Sequence, residues 1–163
     1  MNIWVKNKLG NYTLDPENLP PTIPSEINTA FKKGFTNLGT LMETLDIDIT
    51  EIGADFLKAK MQARPLIYNP LGVVHGGAYV VLAETVASFA ANIAVDTTKY
   101  YCVGQEINAN HLKSTTEGIL TATTTNIHLG KRSSVWNIMI HNENDELCCI
   151  SRMTAAVVKH QVK

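Results

Sequence analysis

The chain has 163 residues, of which 45% are hydrophobic and 18% are charged. A chain of this length forms one domain that buries roughly two-thirds of its unfolded surface, so it needs no disulfide or metal to hold a core. Its 14 lysines and arginines against 15 aspartates and glutamates give a net charge of -1. Without a cationic surface, neither nucleic acid nor an anionic membrane is expected as the main partner.

The cysteines predict a reducing, cytoplasmic location. Cys102, Cys148 and Cys149 form no CxxC pair and are odd in number, so neither a disulfide framework nor a zinc site is expected. The five histidines show no ligand spacing such as HExxH, and no metal is predicted. The polar N-terminus lacks the apolar stretch of a signal peptide.

Residues 1–24 form a predicted polar arm that precedes one domain over residues 25–163. Four of the six prolines lie in this arm, which favours an extended chain. Ser25 is a candidate N-cap of a first helix, because apolar residues follow at helical spacing from Ile27 to Phe35.

Alternation of polar and apolar residues predicts six strands. They cover residues 45–50, 57–62, 102–114, 118–128, 133–142 and 147–159. Turn-forming residues such as Gly130 and Asn142 separate the later strands. A long apolar helix over residues 76–95 lies between the second and third strands. This order predicts an α+β fold, with an antiparallel sheet against one long helix.

The predicted helix 76–95 contains one charged residue, Glu84. Its length would suit a membrane span. However, no basic residue flanks it closely and the charge lies in mid-span, so we expect a helix buried on all sides by the sheet or by a second subunit. An unpaired carboxylate is costly there. Glu84 is therefore either catalytic or held by a polar partner such as Ser88 or an arginine.

His75, Gly76 and Gly77 begin this helix. The free N–H groups of a helix N-terminus can stabilise a developing oxyanion, although glycines also occur in ordinary helix starts. Gly76 and Glu84 are eight residues apart, which is about 12 Å along a helix. They cannot reach one carbonyl from the same helix. If both act on one substrate, Glu84 comes from a second subunit, which predicts a two-fold dimer with two interfacial sites.

Several motifs in the chain carry a family resemblance. They are residues 69–77 (NPLGVVHGG), 82–85 (LAET) with Ser88, 106–111 (EINANH), 128–130 (HLG) and 148–154 (CCISRMT). Together they resemble the hotdog-fold acyl-CoA thioesterases over about residues 38–158. The most similar subgroup contains the menaquinone-pathway 1,4-dihydroxy-2-naphthoyl-CoA thioesterase and the enterobactin proofreading thioesterase.

The resemblance implies a sheet wrapped around one central helix, an acyl-CoA substrate, no cofactor, and a homodimer or a homotetramer built as a dimer of dimers. It implies that Glu84 is the nucleophile or general base, and that the Gly76 N–H polarises the thioester carbonyl with the help of His75. Asn69 and Ser88 complete the implied catalytic set, with Ser88 positioning water or substrate near Glu84. The implied substrate contacts are Leu71, His111, His128, Gly130, Lys131 and Arg132, of which His111 lines the acyl pocket and the turn 130–132 meets the nucleotide end of CoA.

Some of these residues have simpler explanations. His128 could be a solvent-facing strand residue, and Lys131 and Arg132 could be ordinary turn residues. Asn69 stands where the most similar subgroup carries glutamine. Asparagine keeps the amide donor, but its side chain is shorter by one methylene. Because phenylacetyl-CoA-type relatives also use asparagine there, the expected substrate is an aromatic or medium-length acyl-CoA, with the naphthoyl ester as one candidate.

The chemistry agrees with these residues, and two other functions stay open. A thiolate leaves readily because a thiol has a pKa of about 8.5, so hydrolysis needs a carboxylate, an oxyanion site and an apolar pocket. A hotdog hydratase or dehydratase is disfavoured by the second glycine after His75 and by the lack of an FPG-type helix start. A non-catalytic acyl-CoA sensor is disfavoured by Glu84 and by the lack of room for a DNA-binding module before residue 25.

Overall fold

The computed structural model describes residues 4–6, 12–14, 39–53 and 55–160. Within the predicted N-terminal arm, strands β1 (Trp4–Lys6) and β2 (Tyr12–Leu14) pair antiparallel in a two-stranded sheet. The rest of the arm, and the helix predicted to follow Ser25, lie outside the described residues.

Six strands form the main sheet. A short helix α1 (Leu41–Thr44) comes before the first two of these strands, β3 (Asp48–Ile52) and β4 (Phe56–Gln62). A 3-10 turn (Pro65–Ile67) and the long helix α2 (Gly76–Ile93) follow. The last four strands are β5 (Tyr100–His111), β6 (Ile119–Leu129), β7 (Ser133–His141) and β8 (Leu147–Lys159). The order across the sheet is β3-β4-β6-β7-β8-β5, and every neighbouring pair is antiparallel. This arrangement confirms the predicted α+β hotdog fold.

Helix α2 packs one face against the sheet and contacts strands β4 to β8. Its buried residues recur at helical spacing and are Ala78, Tyr79, Leu82, Ala83, Val86, Ala87, Ala90 and Ala91. The many alanines let the helix backbone approach the sheet, which supplies large buried side chains such as Trp136, Ile138 and Met153. Burial of each large apolar side chain stabilises the fold by roughly 1.5–3 kcal/mol.

Within one chain, the sheet buries only one face of α2. The helix is long and apolar enough for a membrane span, but 44% of its residues are buried inside the protein. The remaining face includes Glu84, which is exposed. The physical reason is geometric, because one sheet can cover only one side of a helix.

The first strand of the main sheet begins later than predicted, at Asp48 rather than at residue 45. The Thr40 side chain accepts the Glu43 N–H while the Glu43 carboxylate accepts the Thr40 N–H, so a capping box starts a helical turn here. Asp46 then takes a left-handed conformation with φ of 50°. The alternation still predicts the buried face correctly, since Ile49 is fully buried.

The other predicted elements agree closely with the structure. Strands β6, β7 and β8 lie within one residue of the predicted bounds. Helix α2 ends at Ile93 instead of residue 95, and β5 ends at His111 instead of residue 114. Strand β5 ends early because the N–H groups of Leu112 and Lys113 both turn to the Cys148 carbonyl. All three cysteines are buried and free.

Candidate functional site

A tight turn over residues 69–73 leads into α2. The Asn69 side-chain oxygen accepts the Leu71 N–H at 2.9 Å, and the Asn69 N–H donates to the Val73 carbonyl at 2.8 Å. Gly72 has a φ of 77°, which favours glycine. The side-chain oxygen of Asn69 is therefore used as an acceptor within the turn. The side-chain Nδ2 of Asn69 has no hydrogen-bond partner among the residues that the structure describes. Leu71 is 85% exposed at the tip of the turn.

His75 is the N-cap of α2. Its Nδ1 accepts the Gly77 N–H at 2.8 Å. A neutral imidazole that accepts through Nδ1 carries its proton on Nε2, so the exposed nitrogen is a donor. The Gly76 N–H has no acceptor within the described ranges, as is usual for the first N–H groups of a helix. A free N–H at the positive end of the helix dipole, next to an imidazole donor, suits a negatively charged oxygen.

His111 lies directly against Gly76. A side-chain carbon on Gly76 would be 2.8 Å from His111 Nε2, so the imidazole occupies the space that only glycine leaves empty. His111 is the last residue of β5, and its ring also contacts Tyr79 of α2. The structure therefore brings Asn69, His75, Gly76 and His111 to the same end of the helix within one chain.

Glu84 lies further along α2 and lines a second feature, an apolar groove. The groove has a volume of about 320 Å³ and is lined by Leu41, Met42, Val81, Glu84, Thr85, Ser88 and Phe89. Strand β5 makes room for the carboxylate, because a side-chain carbon on Gly104 would lie 3.0 Å from Glu84 Oε1. We call this feature the Glu84 groove.

Ser88 lines the Glu84 groove, but its hydroxyl is used elsewhere. Ser88 Oγ donates to Met153 Sδ at 3.8 Å, toward the core of the chain. The alternative in which Ser88 satisfies the Glu84 carboxylate is therefore not seen in this structure. Because α2 is continuous from Gly76, Glu84 lies about 12 Å along its axis from the helix start. One chain thus presents the carboxylate and the free N–H at separate places.

The predicted nucleotide-binding turn lies near the other end of α2. Lys131 and Arg132 are exposed there, and the Gly130 N–H donates to the Ser133 carbonyl at 2.9 Å. A cavity of about 220 Å³ adjoins the turn and is lined by Ala91, Ala94, Val95, Leu129, Gly130, Lys131, Ser134 and Val157. His128 is exposed and its Nε2 folds over Gly130, where a side-chain carbon would come within 2.5 Å of it.

Several residues near these features were not predicted from the sequence. Tyr79 was detectable as the one aromatic residue in a stretch of glycine, alanine and valine. Leu41 and Met42 were not detectable, because only the fold brings α1 beside Glu84. Within residues 39–53 and 55–160, no group of three or more histidine, cysteine, aspartate or glutamate side chains could hold a metal ion.

Comparisons with known proteins show which family the chain is similar to. The family model described as the thioesterase superfamily matches residues 71–149, which include Gly76, Glu84 and His111. A provisionally named esterase of Vibrio cholerae is 46% identical over 122 residues, covering 75% of this chain and 81% of that protein. A 1,4-dihydroxy-2-naphthoyl-CoA hydrolase of Escherichia coli is 42% identical over 120 residues, covering 74% of this chain and 88% of that protein.

A solved structure supports the same relationship. The crystal structure of a mutant thioesterase from Pseudomonas aeruginosa matches with a TM-score of 0.79 and 37% sequence identity. The match covers 88% of this chain and 98% of that one. On the agreement of sequence, fold and family model, the chain belongs to the thioesterase superfamily.

Proposed function

We propose that this protein is an acyl-CoA thioesterase that hydrolyses an aromatic or medium-length acyl-CoA to the free acid and CoA. The observation that carries the proposal is the Glu84 groove, in which the one charged residue of α2 faces an apolar space of about 320 Å³. A carboxylate beside an apolar groove can act on the carbonyl of a bound acyl group, whereas a purely structural helix has no use for it.

The proposed reaction breaks the bond between the carbonyl carbon and the sulfur. Glu84 attacks the carbonyl carbon itself or takes a proton from an attacking water, so that a carbon–oxygen bond forms and negative charge develops on the carbonyl oxygen. The free Gly76 N–H and the Nε2–H of His75 stabilise that charge. The carbon–sulfur bond then breaks and CoA leaves as the thiolate, which needs no strong general acid. If water was the attacking group, the free acid forms in this step. If Glu84 was the attacking group, water then hydrolyses the acyl–Glu84 anhydride, which releases the free acid and restores the carboxylate.

We propose that the active site is shared between two subunits. Gly76 and Glu84 of one helix are too far apart along its axis to reach the same carbonyl, as argued above. The exposed face of α2 and the edge strand β5 support an association between copies, since Tyr101 and Val103 of β5 are 40% and 45% exposed. The proposal places Gly76 of one subunit opposite the partner subunit's Glu84, in a homodimer or in a homotetramer of two such dimers.

The size of the Glu84 groove supports the proposed acyl group. An apolar cavity of roughly 150 Å³ takes one benzene molecule, so this groove has room for an aromatic ring or a medium-length chain. The Escherichia coli relative makes 1,4-dihydroxy-2-naphthoyl-CoA the first named ester to test. The shorter amide of Asn69 makes phenylacetyl-CoA the second.

The remaining predicted contacts form the distal part of the proposed substrate site. Lys131 and Arg132 are exposed beside the 220 Å³ cavity, where they can meet the phosphates of CoA. Leu71, His111 and His128 are exposed and available to the acyl group or the pantetheine arm. These assignments are part of the proposal.

The test measures thiol release from a panel of CoA esters. The panel contains benzoyl-, phenylacetyl-, 1,4-dihydroxy-2-naphthoyl- and straight-chain acyl-CoA, and we expect the highest kcat/KM on an aromatic or medium-length member. Binding of an ester without turnover of any member would contradict the proposal and favour an acyl-CoA-binding protein.

A further inference from the structure

Tyr79 is a buried aromatic residue close to the start of α2. It lies three residues after Gly76 on the face that packs against the sheet, and it is only 2% exposed. Its hydroxyl is buried and has no partner in hydrogen-bond geometry among the described residues. Burial raises the pKa of this hydroxyl above its ordinary value, and the neighbouring Thr115 side chain offsets part of the effect. Because the side chain of Tyr79 is almost completely buried, packing against its neighbours fixes the position of the ring.

The fixed Tyr79 ring contacts the imidazole of His111. The two ring centroids are 5.7 Å apart and the planes are tilted by 46°, which lies in the favourable range for a pair of aromatic rings. On another side, His111 Nε2 lies against Gly76, at 2.8 Å from where a side-chain carbon would stand. The imidazole is thus held between the Tyr79 ring and the glycine.

His111 needs such support because of its place in the fold. It is an exposed residue at the end of β5, which is an edge strand of the main sheet. An exposed side chain at a strand end samples several rotamers, and ordering it costs conformational entropy. The loop that follows β5 is tied to the start of α2, since the Val74 N–H donates to the Thr115 carbonyl at 2.9 Å.

We propose that Tyr79 is a positioning residue of the thioesterase. Its buried ring holds the His111 imidazole against Gly76, and the imidazole then forms one wall of the site where the Gly76 N–H meets the thioester oxygen. This inference rests on the proposed function. Tyr79 itself is too deeply buried to touch the substrate, so its effect on the reaction passes through His111.

A spectroscopic test examines the contact without any turnover. In the NMR spectrum of the unsubstituted protein, the ring current of Tyr79 should shift the His111 imidazole resonances away from those of a solvent-exposed histidine. His111→Ala identifies these resonances by their disappearance. The shift should persist in Tyr79→Phe and vanish in Tyr79→Leu. Resonances at free-histidine positions in the unsubstituted protein would overturn the proposal.

A kinetic test asks whether Tyr79 acts through His111. We expect Tyr79→Leu to lower kcat by about three- to tenfold with a smaller change in KM, and Tyr79→Phe to restore kcat to within about twofold. In the His111→Ala background, Tyr79→Leu should lower kcat/KM by no more than about a further twofold. Equal effects of Tyr79→Leu in both backgrounds would overturn the proposal.

A matched control separates positioning from loss of stability. Val86→Ala also truncates a fully buried side chain of α2, two turns further along. It should lower the midpoint of thermal unfolding and leave the His111 resonances in place. If the unsubstituted protein turns over no CoA ester, the proposed function fails. If it is active but Tyr79 and His111 show no coupling, only the present inference fails.

Discussion

His75 accepts the backbone N–H of Gly77 through Nδ1 at 2.8 Å, and this bond assigns a separate role to each nitrogen of the imidazole. One nitrogen caps helix α2. The other carries a proton on an exposed side chain, and the proposal assigns it to the thioester oxygen. The His75 side chain therefore stabilises the start of α2 and also belongs to the proposed active site.

Two substitutions of His75 separate these roles. His75→Ala should lower the free energy of unfolding by about 1 kcal/mol, because the N-cap is lost. His75→Asn should preserve most of that stability, since asparagine is a good N-cap, but it should still lower kcat. Urea unfolding and thiol release measure the two effects. Full turnover by His75→Asn would show that the imidazole serves only as a cap.

Glu84→Gln should lower kcat by at least about 100-fold, because the amide cannot act as a base or nucleophile. Folding should be unaffected, since Glu84 is exposed in the single chain. Calorimetry with a non-hydrolysable CoA ester should show nearly unchanged affinity. Glu117→Gln, at another exposed position, is the matched control and should leave kcat unchanged. Near-normal turnover by Glu84→Gln would contradict a catalytic role for this carboxylate.

A mixture of two inactive variants should regain activity if the site is shared. Gly76→Val should be inactive because its side chain intrudes on the proposed position of the thioester oxygen and also displaces the His111 imidazole. Glu84→Ala should be inactive because it lacks the carboxylate. Refolding or co-expressing the two variants together pairs the subunits at random, which makes about half of the dimers mixed. Each mixed dimer has one intact site, so about a quarter of the normal thiol release should return.

The mixing experiment needs evidence that Gly76→Val folds and associates. Circular dichroism and size-exclusion chromatography provide it, and Gly76→Ala offers a smaller substitution if valine prevents folding. Two folded, associating variants that give no activity together would show that each site lies within one chain.

Affinity for CoA esters should fall as salt rises, if Lys131 and Arg132 meet the phosphates. Exposed charges are largely screened beyond about 10 Å at 0.1 M salt. Substitution of both residues by alanine should raise KM and flatten its dependence on salt, while Lys60→Ala, on an exposed position of β4, should change neither. An unchanged KM in the double variant would show that neither residue contacts the CoA phosphates and that both are ordinary turn residues.

The cysteine thiols of the folded protein should contribute little signal to a thiol-release assay. Burial raises the pKa of the Cys102 thiol to about 11 and, with a further contribution from Cys148, that of the Cys149 thiol to about 11. A raised pKa leaves little reactive thiolate at pH 8. The folded protein should therefore react slowly with a thiol reagent, and all three free cysteines should react in guanidinium chloride. Fast reaction of the folded protein would contradict their burial.

Local patterns in the sequence were sufficient for most of the fold. Strands β6 to β8 were predicted closely, because alternation and turn residues depend only on near neighbours. The apolar run from Gly76 likewise predicted α2. The strand predicted from residue 45 begins only at Asp48, because the alternating residues that follow the capping box of Thr40 and Glu43 are partly helical turn rather than strand.

The sequence by itself determined the class of the protein, the start of α2 at Gly76 and the isolation of Glu84 on an apolar helix. Only the tertiary structure decided which face of α2 the sheet covers, that Leu41 and Met42 line the Glu84 groove, and that His111 lies against Gly76 and Tyr79. The physical reason is that these contacts join residues far apart in the chain. They depend on strand order and register, which set where the end of β5 meets the start of α2.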